Sequence, residues 1–378
     1  MHFIPYGHQY IDDEDIQAVV DVLKGDWLTT GPSISAFEES ICVYTGCKYA
    51  VSVNNGTSAL DLAVKALDLP SGSEVITTPL TFAATSNALL YNNLIPVFAD
   101  IRRDTRNIDP EDIRRKITPK TKAIICVDYG GHPCDLDEIK EIAEEHDLVL
   151  IEDACHALGA SYHGRKIGTL ADMTIFSFHP VKPITTGEGG AVVTDNPEFA
   201  ARLKLLRNHG IDRNVKDMFG EGSEWAYDLV DLGRNYRMTD IQAALGVSQI
   251  KKIDGFIKRR NDLAKYYEEL IGDILWLETP QCCGDVTHGW HIYTVLLNGI
   301  KRNDLYRYLH QHNIGANVHY IPIYRFTYYQ KHFTMNPQAF PVIEDVFNHI
   351  ITIPLYPAMA EADLEYVSDT LRKAGSNL

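Results

Sequence analysis

The chain has 378 residues, 45% hydrophobic and 23% charged, which is enough apolar material for one large domain and one smaller one. A formal net charge of -16 with no basic run excludes a phosphate backbone as partner and points to small molecules. The opening MHFIPYGHQYIDDEDI has no basic stretch leading into an apolar one, and no run approaches the roughly 18 apolar residues that span a bilayer, so the expectation is a cytosolic chain with no membrane partner. Seven cysteines at irregular spacing predict reduced thiols rather than a disulfide framework.

From residue 49 to residue 195, short apolar β-rich runs alternate with helical patterns, the signature of a mostly parallel sheet covered on both faces, and so of an α/β fold. The predicted strands are Ala50–Val53, Glu74–Thr77, Pro96–Ala99, Ala123–Val127, Leu148–Glu152, Thr174–Phe178 and Ala191–Thr194. Helical spacing covers Ser58–Ala66, Phe82–Leu90 and Leu136–Glu145. Gly187–Gly190 precedes a strand instead of opening a helix, so it reads as a tight turn and disfavours a nicotinamide dehydrogenase. A long charged helical tract, Thr239–Leu270, holds the expected boundary between a large domain over residues 1–250 and a smaller C-terminal domain over residues 251–378. Beyond it, Cys282-Cys283 with His288 and His291 suggests a metal cluster, but adjacent cysteines chelate poorly and the stretch reads as a loop, so no metal is expected.

Three segments carry chemistry. Leu148-Val-Leu-Ile-Glu-Asp-Ala-Cys-His156 places Asp153 at the carboxyl end of a strand, where an ionised carboxylate needs a cation. A protonated pyridine nitrogen is one such cation; a helix cap is the plainer role. In Thr174-Ile-Phe-Ser-Phe-His-Pro-Val-Lys-Pro-Ile-Thr-Thr-Gly-Glu-Gly-Gly190 a single lysine, Lys182, lies among apolar and small residues, where desolvation would lower its pKa and free the amine. Asn55-Gly-Thr-Ser-Ala-Leu60 follows a strand and opens a helix, so the amides of Gly56 and Thr57 can face an anion, although the same residues also make an ordinary cap.

The Lys182 segment resembles the Schiff-base segment of the DegT-type sugar aminotransferases, and the likeness runs from Pro5-Tyr-Gly and Asp26-Trp-Leu-Thr-Thr-Gly-Pro32 to Ile353-Pro-Leu-Tyr-Pro357. The resemblance implies the pyridoxal-phosphate transferase fold of type I, an aspartate aminotransferase-like large domain with a seven-stranded, mostly parallel sheet and a smaller C-terminal α+β domain. It implies pyridoxal 5'-phosphate as cofactor, passing through pyridoxamine 5'-phosphate. In the family the lysine matching Lys182 bonds to the cofactor aldehyde and moves the proton, and the positions of Ser177, Gly56 and Thr57 hold its phosphate. Phe82 matches the aromatic that stacks on the ring, and His156 stands where many relatives have glutamine near the ring. Asn235, in Gly233-Arg-Asn-Tyr-Arg-Met-Thr-Asp240, matches an asparagine that reaches the neighbouring subunit's cofactor, which implies a homodimer with shared sites. His319 and Tyr320, with Tyr6 and Thr29, are substrate-side candidates by the same likeness. The implied partners are L-glutamate and a nucleotide-linked keto-sugar. Ser177–Gly190, His156–Gly159 and Val318–Tyr324 are most similar to the subgroup that aminates the fourth carbon of UDP-linked, N-acetylated 4-keto-6-deoxysugars of the altrosamine series in pseudaminic acid synthesis. UDP-, GDP- and dTDP-sugars stay open as alternatives. A dehydratase subgroup carries histidine in place of Lys182, and a silent protein would not need Asp153, Ser177 and Lys182 together.

Overall fold

The computed structural model describes residues 2–213 and 225–378. Seven strands form one sheet: β1 (Tyr49–Val53), β2 (Glu74–Thr77), β3 (Ile95–Phe98), β4 (Thr121–Val127), β5 (Val149–Asp153), β6 (Met173–Ser177) and β7 (Gly190–Thr194). Their order is β1-β7-β6-β5-β4-β2-β3; β7 runs antiparallel to both of its neighbours, and the other pairings are parallel. Alternate residues feed two cores. Ala50, Ile124, Cys126 and Phe176 face one, while Val51, Ala123, Ile125 and Ile175 face the other, as the two-residue period of a strand requires. The first core is closed by α1's neighbour α2 (Pro32–Thr45), the second by α3 (Gly56–Ala66) and α4 (Ala83–Tyr91); α1 itself spans Asp13–Lys24.

The predicted strands are all present; Glu74–Thr77 has the predicted bounds and the other six differ by a residue or two at their ends. The shift in β5 brings Asp153 inside the strand as its last residue. Phe82 stands just ahead of α4 in extended conformation, outside the helix predicted to include it. The tract Thr239–Leu270 is two helices, α5 (Asp240–Ile250) and α6 (Ile253–Ile271), not one. Thr239 opens α5 through a capping box with Gln242. The break at Lys251–Lys252 coincides with a long-range pull: the Lys252 ammonium is bonded to Asp12 and lies 3.0 Å from Asp15, both at the start of α1.

After α6 comes the smaller α+β domain, an antiparallel sheet of β8 (Leu277–Glu278), β9 (Tyr293–Leu297) and β10 (Ile350–Ile353), in that order. Its own core joins Leu263, Tyr267 and Ile271 of α6 to Tyr293, Val295, Ile351 and Ile353. The N-terminal segment crosses to this domain, where the Leu355 amide donates to the Tyr6 carbonyl at 3.1 Å and Gly315 to Ile4 at 2.7 Å. The carboxyl ends of the parallel strands thus face the small domain across a cleft. Among the described residues no helix is long and apolar enough to cross a membrane.

Candidate active site

A cavity of about 700 Å³ lies in that cleft. The large domain contributes Gly56, Thr57, Phe82, Asp153, His156, Ser177 and Lys182 to its walls; Tyr6, His319 and Tyr320 close it from the other side. Thr29 and Asn235 do not line it. Both are exposed, Thr29 bridging Thr239 and Asn235 bridging Asn208 through the backbone.

One end of the cavity is built to meet an anion. Asn55, extended at φ -169°, caps α3 by accepting the Ser58 amide at 2.8 Å, which leaves the Gly56 and Thr57 amides to the cavity they line. Ser177 ends β6 beside them. The chain approaches so closely here that a Cβ on Gly56 would stand 2.9 Å from the Ser177 Cβ, and one on Gly190 would stand 2.6 Å from the Asn55 carbonyl. Two amides, one hydroxyl and the positive end of an 11-residue helix therefore converge on one point.

At the other end, Asp153 is 5% exposed, and each of its oxygens has a donor: the Thr85 hydroxyl at 2.8 Å and the Cys155 amide at 3.3 Å. Thr85 is in turn bonded to Thr81 at 2.9 Å. The carboxylate is held still, with no cation among its hydrogen-bond partners. Lys182 sits on the loop leaving β6, its amide bonded to the His179 carbonyl at 2.9 Å and the loop closed by Thr186 donating to Phe178 at 2.9 Å. Burial lowers the Lys182 pKa from its ordinary value, with Cys155 and Asp153 pulling the other way. An amine in this place is more readily neutral than a surface lysine.

Three histidines gather beside it. His156 is ring to ring with His291 at 4.3 Å, and its Nε2 is 3.1 Å from the Tyr320 hydroxyl. Burial, then the Lys182 charge and His319, drive the His156 pKa well below its usual value; His319 is pushed down to about 4, mainly by burial. All three rings are thereby kept neutral.

Thr85, Cys155 and His291 were not singled out from the sequence for this site. Thr85 had a signal, since Thr81 and Thr85 are spaced one helical turn apart where the chain enters α4. His291 had none, because its place depends on the loop before β9 crossing the domain cleft: its amide donates to the Gly130 carbonyl at 2.8 Å. His288 turns away and accepts the Trp290 amide at 2.8 Å. Among the described residues, no group of three or more His, Cys, Asp or Glu is arranged to hold a metal ion.

The model of the DegT/DnrJ/EryC1/StrS aminotransferase family matches residues 9–372. The chain belongs to this family. The aminotransferase is 44% identical over 375 residues to an uncharacterised protein of Methanocaldococcus jannaschii, MJ1066, covering 98% of this chain and 97% of that one. It is 39% identical to the UDP-4-amino-4,6-dideoxy-N-acetyl-beta-L-altrosamine transaminase of Campylobacter jejuni serotype O:23/36, over 97% of this chain and 96% of that one. Among solved structures, Helicobacter pylori PseC, an aminotransferase involved in the biosynthesis of pseudoaminic acid, superposes with a TM-score of 0.93 at 33% identity over 100% of both chains. The protein is a pyridoxal-phosphate-dependent sugar aminotransferase that acts on a nucleotide sugar.

Proposed function

We propose that this aminotransferase moves the amino group of L-glutamate to the fourth carbon of a UDP-linked, N-acetylated 4-keto-6-deoxysugar of the altrosamine series, a step of pseudaminic acid synthesis. The observation that carries the reading is the meeting, in one cavity, of the anchored Asp153 carboxylate, the desolvated Lys182 amine and the amide cradle of Gly56 and Thr57. The Campylobacter and Helicobacter relatives support the choice of sugar.

The residues fit the cofactor. The cradle closed by Gly56 against Ser177 takes a phosphate, with the two amides and the Ser177 hydroxyl as donors. Of the other residues lining the cavity, Asp153 would hold a proton on the ring nitrogen, and Phe82 and His156 would pack against the ring. Pyridoxal phosphate, when bound, supplies the electron-withdrawing ring and carries the amino group in its pyridoxamine form. The Lys182 Nζ would be the group that holds the cofactor covalently, and its amine would take and return the proton at the carbon that loses or gains nitrogen. Glutamate serves as donor and the nucleotide as the remote handle that orients the sugar.

The same reading calls for a second copy of the chain. In α1 the acidic Asp15 is buried while Ile16 and Leu23 are more than half exposed, and Trp27, Leu229 and Leu232 are exposed by 58%, 62% and 71%. Such uncovered apolar area is what a homodimer interface buries. Exposed Asn235 then reaches the partner subunit's phosphate site. Mixing Lys182→Ala and Asn235→Ala chains should restore activity that neither has alone; no recovery after subunit exchange removes Asn235 from the partner's site.

The substrate is tested by incubating the purified protein, cofactor and glutamate with a panel of UDP-, GDP- and dTDP-4-keto-6-deoxysugars, with products read by mass spectrometry. Amination of the UDP-linked N-acetylated sugar of the L-arabino series is expected. Amination of only a GDP- or dTDP-sugar overturns the sugar assignment and leaves the transaminase standing.

A further inference from the structure

The hydrogen bonds around His156 run in one direction. A peptide N–H only donates, and that of Gly130 lies 3.2 Å from the His156 Nδ1, so this nitrogen must present its lone pair. The ring hydrogen is then on Nε2, which faces the Tyr320 hydroxyl at 3.1 Å. The imidazole donates and the phenol oxygen accepts. Tyr320 cannot return the hydrogen bond to His156, and its own O–H is left to point elsewhere.

The alternatives are closed off. A charged His156 would set a second hydrogen on Nδ1 against the Gly130 N–H. Its ring neighbour His291, tilted by 35°, donates from Nδ1 to the Val181 carbonyl at 3.1 Å and is itself buried, so it offers no negative charge to stabilise an imidazolium. The Gly130 amide is fixed by the turn it sits in. Gly130 and Gly131 have φ of +65° and +98°, and a Cβ on Gly131 would stand 2.8 Å from the His156 carbonyl and 2.9 Å from the Trp290 amide. The Tyr320 ring is held between Phe82, at 6.3 Å, and Tyr129, edge-on at 6.4 Å, and it lines the cavity with Lys182.

We propose that Tyr320 is a fixed hydrogen-bond donor in the cleft, its O–H directed by the Gly130 amide through His156, and that its acceptor is the keto oxygen of the sugar. The acceptor rests on the reading of the cleft given above; the direction of the O–H does not. A donor on the keto oxygen draws electron density from the carbon that nitrogen must attack, and it is most valuable as that oxygen gains charge. The phenol does not need to ionise for this, and burial holds its pKa well above the ordinary value. His156 is a positioning residue in this scheme.

Nitrogen NMR of histidine-labelled, cofactor-free protein reads the direction without any turnover, with the His156 signals assigned from their loss in His156→Gln. An unprotonated Nδ1 and a protonated Nε2 across the neutral range are expected; the opposite tautomer, or a charged ring, overturns the proposal. Tyr320→Phe should slow the sugar half-reaction about 10- to 100-fold in kcat with a small change in KM, and spare the glutamate half-reaction. Equal loss in both halves, or none in the sugar half, removes Tyr320 from the keto oxygen. Glutamine also has an acceptor at one end and a donor at the other, so His156→Gln should recover most of what His156→Leu loses; if the two variants are equally impaired, the relay is wrong. Should the wild-type protein aminate no nucleotide sugar, the keto acceptor falls with the functional reading, and the NMR result still judges the donor.

Discussion

Asp153 and Glu152 are neighbours on β5, and the strand turns them to opposite faces of the sheet. Asp153 meets the cavity, takes one hydrogen bond from Thr85 and one from the Cys155 amide, and is left with no cation among its hydrogen-bond partners. Glu152 meets the interior, wholly buried, with one oxygen on the Thr174 hydroxyl at 2.8 Å. Its other oxygen meets no donor, and the same is true of one oxygen of Asp128, itself buried and accepting the Cys134 amide at 2.9 Å. The first arrangement waits for a positive partner from outside. The second leaves one oxygen of each buried acid without a donor, which one proton held between them would satisfy, because two adjacent buried carboxylates cannot both stay ionised. One strand thus holds a functional acid and a structural one side by side, and only the surroundings tell them apart.

The cavity face breaks first. Lys182→Ala should lower amination by about 10⁴-fold or more, since covalent capture of the cofactor and proton transfer are both lost. Product formation in a single turnover with preloaded enzyme is the measurement, and near wild-type rates would refute the role given to this lysine. Asp153→Asn keeps the shape and the Thr85 contact but cannot hold a ring proton, so the rate should fall by about 10²- to 10³-fold with the cofactor still bound. An unchanged rate would transfer that role to another acid.

A smaller effect tests the cradle. In Gly56→Ala the new methyl must displace Ser177, whose Cβ would be 2.9 Å away, and with it one phosphate donor. Cofactor affinity should weaken roughly tenfold, the worth of one lost hydrogen bond to a charged group, as read by equilibrium dialysis of pyridoxal phosphate. Unaltered affinity would separate the cradle from the phosphate.

Much of the cavity face was legible in the sequence and little of the interior face was. Strands, turns and the loop bearing Lys182 follow from local period and composition, and so does the position of Asp153 at a strand end. The break between α5 and α6 was not legible, because no glycine or proline marks it and the Lys252 contact with Asp12 and Asp15 spans more than two hundred residues. The same holds for His291 beside His156 and for the Gly130 amide that orients it, which meet only once the two domains are packed. Thr29, expected on the substrate side, stands apart from the cavity of its own chain, as does Asn235, which the family likeness assigned to a neighbouring subunit. Glu152 drew no attention because a glutamate next to an aspartate looks like one acidic spot, although a strand separates the two by its full thickness.

That interior pair supplies the subtlest test. Burial, the largest cause for each, raises the proton affinity of Asp128 and Glu152 over that in the unfolded chain; the neighbouring Asp128 raises that of Glu152 further, whereas Glu152 lowers that of Asp128 in part. The folded protein therefore binds the shared proton more tightly, and the stability it contributes is complete at and below the ordinary carboxylate range. It is lost as pH rises through the raised value, when a second buried charge must form. Glu152→Gln removes the titration and keeps the geometry, its amide donating to the Asp128 carboxylate while its carbonyl accepts from Thr174. At pH 6 the cofactor-free variant should match the wild type closely. By pH 9 it should be the more stable by about 1–2 kcal/mol, seen as a slower fall of Tm with pH. Glu152→Ala, which leaves the Asp128 carboxylate without its partner, should be destabilised at both pH values. If the wild type and Glu152→Gln lose stability in parallel as pH rises, the two carboxyls do not share a proton, and the contrast with Asp153 is one of exposure alone.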